Sequence, residues 1–410
     1  MIARYALGAL IVSAATPALA DPPDVFSGDQ LRGFLDLRSA SSDGEESWVH
    51  GGFGKTRFDG SQNAFETSGY VRAMLVWRPH LTWSWDVYLS LQGDTQAQPP
   101  LDLVEGFVSY RGEPADGWRL SGRAGLMYPP VSLENDGPGW TPTRTITPSA
   151  INSWIGEEVK IGGVEVTARR QFGDQEVALT LAAFGWNDTS GTLLAARGWA
   201  LDDVLVGANG RLDLPDRSFS YQEFTEPTDE LDNRVGYYGR IAYRPLNALT
   251  LDVFHYDNVG DRVSDRGGQT DWETHFTNIG LRLALDERTH LLAQALVGRT
   301  VWGQPAPTGY WVDVDFASAY ALLSSHIGVH TFSARLDYFE TTDNSYTDPL
   351  YNNDEEGWAA TLDYFYEINQ HARLGFEFLH VRSDRLARID RGLDPVQNQN
   401  TVQSSLKVSF

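Results

Sequence analysis

Residues 81–92, LTWSWDVYLSLQ, alternate without a break: Leu81, Trp83, Trp85, Val87, Leu89 and Leu91 fall on one face, and Thr82, Ser84, Asp86, Tyr88, Ser90 and Gln92 on the other. A period of two is the pattern of a strand with one apolar face, and it excludes a helix for this stretch. The pattern returns in 117–128, 234–244, 248–257, 357–368, 371–380 and 401–410, and more weakly in 31–38, 65–78, 101–111, 158–170, 175–186, 271–285, 288–301, 311–323 and 326–340. Together these segments predict an all-β chain of about sixteen strands, an even number within the range of transmembrane barrels.

The connections narrow the choice further. Tight turns at 78–80, 112–116, 172–174, 245–247, 286–287, 324–325 and 369–370 alternate with long polar stretches near 39–64, 93–100, 129–157, 187–233, 258–270, 302–310, 341–356 and 383–400. Short turns on one rim and long loops on the other are the layout of a transmembrane antiparallel β-barrel, with short periplasmic turns and long extracellular loops. A soluble sandwich has no reason to segregate its loops by length. In lipid every backbone N–H and C=O must be paired internally, which only a helix or a closed barrel achieves. Trp77, Trp83, Trp85, Trp118, Tyr128, Tyr237, Tyr243, Trp358, Tyr364 and Phe378 lie on the apolar phase, where they would form two interfacial girdles.

Residues 1–20, MIARYALGALIVSAATPALA, read as a secretory signal: Arg4 in the n-region, an apolar stretch from Ala6 to Ala15, and Ala18-Leu19-Ala20 as the cleavage site. The expected mature unit is therefore a barrel spanning 21–410, cleaved after Ala20 and exported. No later segment has the ~18 consecutive apolar residues of a helical span. The 410 residues include no cysteine, which removes disulfides, thiol nucleophiles, cysteine-based metal sites and a lipoprotein anchor. A formal net charge of -23 argues against nucleic acid as a partner, because that binding rests on clustered cations. Lysine occurs only at Lys55, Lys160 and Lys407, so nearly all positive charge is arginine.

Two segments carry a family resemblance. Gly125 to Glu134, GLMYPPVSLE, resembles the strand-exit segment of the phosphate-selective porin family, and Leu103 to Arg111, LVEGFVSYR, resembles the strand before it. The last strand, with Leu406, Val408 and terminal Phe410 in alternation, resembles the C-terminal assembly signal of Gram-negative outer-membrane proteins. The resemblance implies a sixteen-stranded diffusion channel, a homotrimer, set in outer-membrane lipid by the outer-membrane assembly machinery. The chain departs from the anion-selective members, whose channels depend on lysines.

The default function of such a barrel is passage of small hydrophilic solutes or ions through an aqueous lumen. Selectivity is then expected from lumen-facing charges and from a loop folded inward. Residues 129–157 are the candidate constriction loop, with anchors Trp140 and Trp154 and charges Glu134, Asp136 and Arg144. The loop at 187–233 reads as a short rim helix or a second lid. Strand phase points Arg72, Arg119, Arg123, Arg169, Arg240, Arg282, Arg335 and Arg373 inward. The same phase points Asp36, Asp86, Glu105, Glu165, Asp252, Asp337, Asp363 and Glu367 inward. Arg119 and Arg123 are singled out because their own strand carries no inward acid; a cross-strand ion pair is the alternative for any one arginine. The acids of the long loops, among them Asp43, Glu45, Glu46, Asp229, Glu230, Asp354, Glu355 and Glu356, read as a solvated outer surface. No cofactor and no metal site is expected. An outer-membrane hydrolase would need a motif such as G-x-S-x-G or H-E-x-x-H, which the scattered histidines do not supply. An adhesive or structural barrel differs from a channel in conductance alone.

Overall fold

The computed structural model describes residues 27–61, 64–215, 222–305, 309–346 and 352–410. The expected signal segment at 1–20 lies outside them. Sixteen antiparallel strands close into one barrel in which each strand pairs with its sequence neighbours. The seam joins Leu31–Ser42 to Val396–Ser409, with Phe34 opposite Ser409 and Ser42 opposite Thr401. Closure leaves no strand edge unpaired, the condition for a sheet surrounded by hydrocarbon.

The alternation decides which side chains face where. In strand Trp85–Asp94, Asp86, Ser90, Gln92 and Asp94 are buried inside while Trp85 and Leu91 are exposed. Val166, Leu181, Ile241, Val253, Ile279, Val297, Leu336 and Leu362 continue the exposed apolar belt around the barrel. A continuous belt of this kind far exceeds what a monomer tolerates in water, and it suits a bilayer. Aromatics gather at its two borders. Trp85 and Tyr110, with ring centroids 4.9 Å apart, and Trp118 lie by the short turns. Trp186, Tyr237, Trp311 and Trp358 lie by the long loops.

Tyr128 is a correction: it belongs to neither girdle. The alternation breaks at Gly125, where φ is 142° and a Cβ would lie 2.2 Å from the Gly106 carbonyl oxygen. Beyond that break Leu126, Met127 and Tyr128 are all buried, and the Tyr128 hydroxyl donates to the Gly156 carbonyl at 2.8 Å inside the barrel. Glu355 is a second correction, because it is fully buried rather than solvated. It opens strand Glu355–Asn369 facing inward, where Lys55 and Arg385 meet it.

Two long loops enter the lumen. Residues 128–160 carry helix Ala150–Glu158, all nine of whose residues are buried. Ser149 caps it, accepting from the Asn152 amide. The second loop, between strands Gln175–Gly185 and Gly236–Leu246, carries the buried short helix Thr192–Arg197 and an extended run through Val206 that is also buried.

Candidate permeation site

The first loop is fastened mainly through its backbone. Ile146 N–H donates to Glu377 at 2.8 Å and to Asp363 at 3.0 Å, Thr147 N–H to Glu377 at 2.9 Å, and Ala150 N–H to Asp337 at 3.1 Å. These acids come from three strands of one wall, Asp337 from His330–Asp343, Asp363 from Glu355–Asn369 and Glu377 from Ala372–Arg385. Buried carboxylates need donors, and peptide N–H groups of an irregular loop need acceptors, so each group satisfies the other. Trp154 then packs against the inner wall, its ring 5.3 Å from Phe276 and 5.1 Å from Phe316. Trp140 stacks on Tyr128 at 4.3 Å.

The second loop is fastened through side-chain charge. Asp203 meets three arginines: Arg38 at 2.7 Å, Arg57 at 2.8 Å and Arg72 at 3.0 Å. Arg38 and Arg72 belong to strands Leu31–Ser42 and Glu66–Trp77, whereas Arg57 comes from the loop between them. Arg57 also reaches Asp94 at 3.0 Å and lies over the Tyr70 ring at 4.1 Å. Burial works against ionising Asp203, yet the guanidinium groups of Arg38, Arg57 and Arg72 outweigh it and hold the carboxyl well below the usual carboxylate range. Farther along, Trp199 N–H donates to Glu355 at 3.0 Å and Arg385 donates to the Ala195 carbonyl at 2.9 Å. The two loops also hold each other: Ser153 Oγ donates to the Asp202 carbonyl at 2.8 Å, and the rings of Trp154 and Trp199 lie 6.1 Å apart.

Beside Asp203 is a cavity of about 10 Å³ lined in part by Arg38, Arg72, Thr141, Arg373 and Lys407, room for roughly one water molecule. Arg38 Nη1 and Arg72 Nη2 are buried there without an acceptor among the described residues. The wall thus keeps guanidinium donors beyond those Asp203 occupies.

The structure distributes the residues anticipated from sequence over two levels. Arg72 joins the Asp203 cluster. Glu134 is buried in the first loop, accepting from Ser149 N–H at 2.8 Å and Asn152 Nδ2 at 2.7 Å, with Arg335 at 3.6 Å. Asp136 and Arg144 pair with each other at 3.2 Å on a more exposed part of that loop. Arg123 makes a two-pronged pair with Glu165 of the neighbouring strand, at 2.8 and 2.9 Å, and donates to the Tyr128 carbonyl at 3.0 Å. Arg240 pairs with Asp252 at 2.8 Å and Arg169 with Glu176 at 3.5 Å. Arg119 is exposed near the short-turn rim, directly across the ladder from Arg169. Asp136, Arg144, Arg123, Arg240, Arg169 and Arg119 therefore do not meet the Asp203 cluster. Phe410 is exposed, its ring over Gly33, and its backbone exchanges hydrogen bonds with Gly33 at 3.0 and 3.1 Å.

Sequence reasoning passed over Asp203, Arg38 and Arg57. The signal lay in the acidic pair Asp202-Asp203 inside the apolar run GTLLAARGWALDDVL, because acids within an apolar segment that folds inward need buried cations.

No protein-family model matches the chain, and no curated protein matches it in sequence. Among solved structures, the outer membrane channel DcaP of Acinetobacter baumannii is similar with a TM-score of 0.56 and 11% identity, covering 93% of this chain and 96% of that one. The anion-selective porin from Comamonas acidovorans gives 0.49 and 13%, over 93% and 98%. OmpT, an outer membrane protein of Vibrio cholerae, gives 0.49 and 9%, over 94% and 100%. What the DcaP likeness carries at this identity is the fold: the chain is a closed sixteen-stranded antiparallel barrel of the outer-membrane kind.

Proposed function

We propose that the protein is an outer-membrane channel for passive diffusion of small hydrophilic solutes, with the two inward loops as its constriction and the second of them as a charge-latched lid. The observation that carries this reading is the Asp203 cluster: three wall and loop arginines converge on one carboxylate of a loop that fills the lumen. A barrel built only as a scaffold or an adhesin gains nothing from a buried arginine cluster with spare donors, since each unsatisfied buried donor costs about 1–3 kcal/mol. With the lid released, a passing anion would use those donors.

On this reading Arg119, Arg169 and Arg240 line the vestibule at the short-turn rim, and Arg123 and Glu165 together shape its roof beneath the first loop. Asp136 and Arg144 present a dipole to the same space. Paired acids and arginines produce a transverse field that favours hydrophilic solutes and gives only a weak anion preference. The finer resemblance to phosphate-selective porins enters as that preference, with arginine in the place of lysine. The homotrimer, export through the signal at 1–20 and insertion guided by the Phe410 pattern belong to the same reading.

Planar-bilayer recording of the refolded protein tests it. Discrete conductance steps, with a zero-current potential in a salt gradient of anion-preferring sign, are expected. A sealed barrel that stays silent across applied voltage and salt would leave the adhesive or enzymatic alternatives.

A further inference from the structure

Away from the Asp203 cluster, the two ends of the second loop meet at the long-loop rim. Asp188, just past strand Gln175–Gly185, faces Glu230 and Asp232, just before strand Gly236–Leu246, and each offers an oxygen within 4.8 Å of the others. The carboxylates are held in this arrangement by backbone amides. Glu230 accepts from Trp186 N–H at 2.9 Å and Asn233 N–H at 2.7 Å, Asp232 accepts from Arg234 N–H at 2.7 Å, and Asp188 accepts from the N–H groups of Leu231 and Asp232. Glycine at 185 permits the approach, because a Cβ there would lie 2.5 Å from Glu230 Oε2.

A fourth carboxylate backs the cluster. Asp271 is fully buried; its Oδ2 accepts from Asp261 N–H at 2.9 Å, while its Oδ1 is buried without a hydrogen-bond donor among the described residues. It bears on Asp188 and Asp232. The cation in reach is Arg234, half exposed, at 3.5 Å from Asp232 and 3.6 Å from Asp261. One guanidinium at those distances does not neutralise three convergent carboxylates.

We propose that Asp188, Glu230 and Asp232, backed by Asp271, bind a divalent cation of the calcium class at the rim and so clamp the entry of the second loop to its exit. The donors are all oxygen, and hard oxygen ligands with flexible coordination suit Ca²⁺ better than the near-ideal octahedron Mg²⁺ demands. Two oxygens each about 2.4 Å from a shared Ca²⁺ stand at most about 4.8 Å apart, which the three carboxylates already satisfy. Glu230 is half-buried, so an ion reaches the cluster from solvent on that side, while the Asp232 side chain is buried behind it. The clamp does not depend on what permeates the barrel.

The test uses the full chain refolded in detergent free of lipopolysaccharide, stripped with EDTA and dialysed. Equilibrium dialysis with ⁴⁵Ca²⁺ should show one ion per chain, and Tb³⁺ should give emission sensitised by Trp186 that Ca²⁺ quenches by displacement. Glu230→Gln keeps an acceptor for the Trp186 and Asn233 amides and should weaken Ca²⁺ binding about tenfold or more. Arg234→Gln removes the competing cation and should tighten it. Heat-modifiable gel mobility reports that each variant is folded. A folded wild type that takes up no stoichiometric Ca²⁺, or uptake unchanged by Glu230→Gln, overturns the proposal.

Discussion

Both long loops fold into the barrel, but the anchors that dominate in each differ. The first gives peptide N–H groups to carboxylates of the wall strands and packs Trp154 on Phe276 and Phe316. The second gives a carboxylate, Asp203, to arginines that come mainly from the wall. Amide anchors are spread over many residues, and no single side-chain change in the loop removes them. The Asp203 anchor is one residue deep, with Trp199 N–H on Glu355 and Arg385 on the Ala195 carbonyl holding the loop farther along. On the proposed reading, the first loop is the fixed constriction and the second is the part that loss of one charge loosens.

The largest effect expected is from Asp203→Asn. Taking one partner out of a buried ion cluster costs about 3–5 kcal/mol, and here the mutually repelling Arg38, Arg57 and Arg72 are left behind. Single-channel conductance should rise and the zero-current potential should move further towards anion preference. A loss of folded protein without any rise in conductance would put the two loops on the same footing.

Trp154→Ala should come next. Emptying a buried aromatic site costs about 3–5 kcal/mol, but the amide anchors of the loop remain. Conductance should rise less than for Asp203→Asn, and the ion preference should not move, since no charge is altered. A change in preference would show that the first loop also works through charge.

The two loops were unequally legible in the sequence. Period-two alternation is a local signal, and it located all sixteen strands because a strand with one face in lipid and one in the lumen cannot suspend it for long. It failed at Tyr128, where the left-handed Gly125 resets the phase, a backbone event that composition does not announce. The 129–157 loop stood out through its length and its prolines. The second loop's run from Gly191 to Leu205 is as apolar as a surface helix, and nothing local tells an acid pair such as Asp202-Asp203 that its cations wait at Arg38, Arg57 and Arg72. Glu355 misled for the same reason: in sequence it sits between Asp354 and Glu356, and only strand phase separates the inward member from its neighbours.

Acid offers a smaller, sharper test. The Asp203 carboxyl is depressed, so its contribution is full above the ordinary carboxylate value and is lost progressively as the pH falls from there through its own lower value. Conductance recorded between pH 7 and pH 4.5 should therefore show no lid release. Opening within that window would mean the latch rests on some other, ordinary acid.

The smallest effect is expected at the vestibule. Replacing Arg119 and Arg123 together with glutamine should shift the zero-current potential modestly towards cation preference, because Arg123 is already offset by Glu165 at 2.8 Å and Arg119 sits where the passage is exposed to salt. A shift larger than that of Asp203→Asn would place the narrow point at the rim and not at the lid.

The seam has a consequence for how the molecule comes into being. Ser42 and Thr401 touch across 359 positions of chain, and Gly33 exchanges hydrogen bonds with Phe410. Until that last pairing forms, the strand at each border of the growing sheet offers a full row of unbonded amides and carbonyls, a template for any other extended chain nearby. Loop-closure entropy makes so distant a contact late. For most of its assembly this protein is thus an open, sticky ribbon, and the outward ring of Phe410 over Gly33 marks the place where that hazard ends.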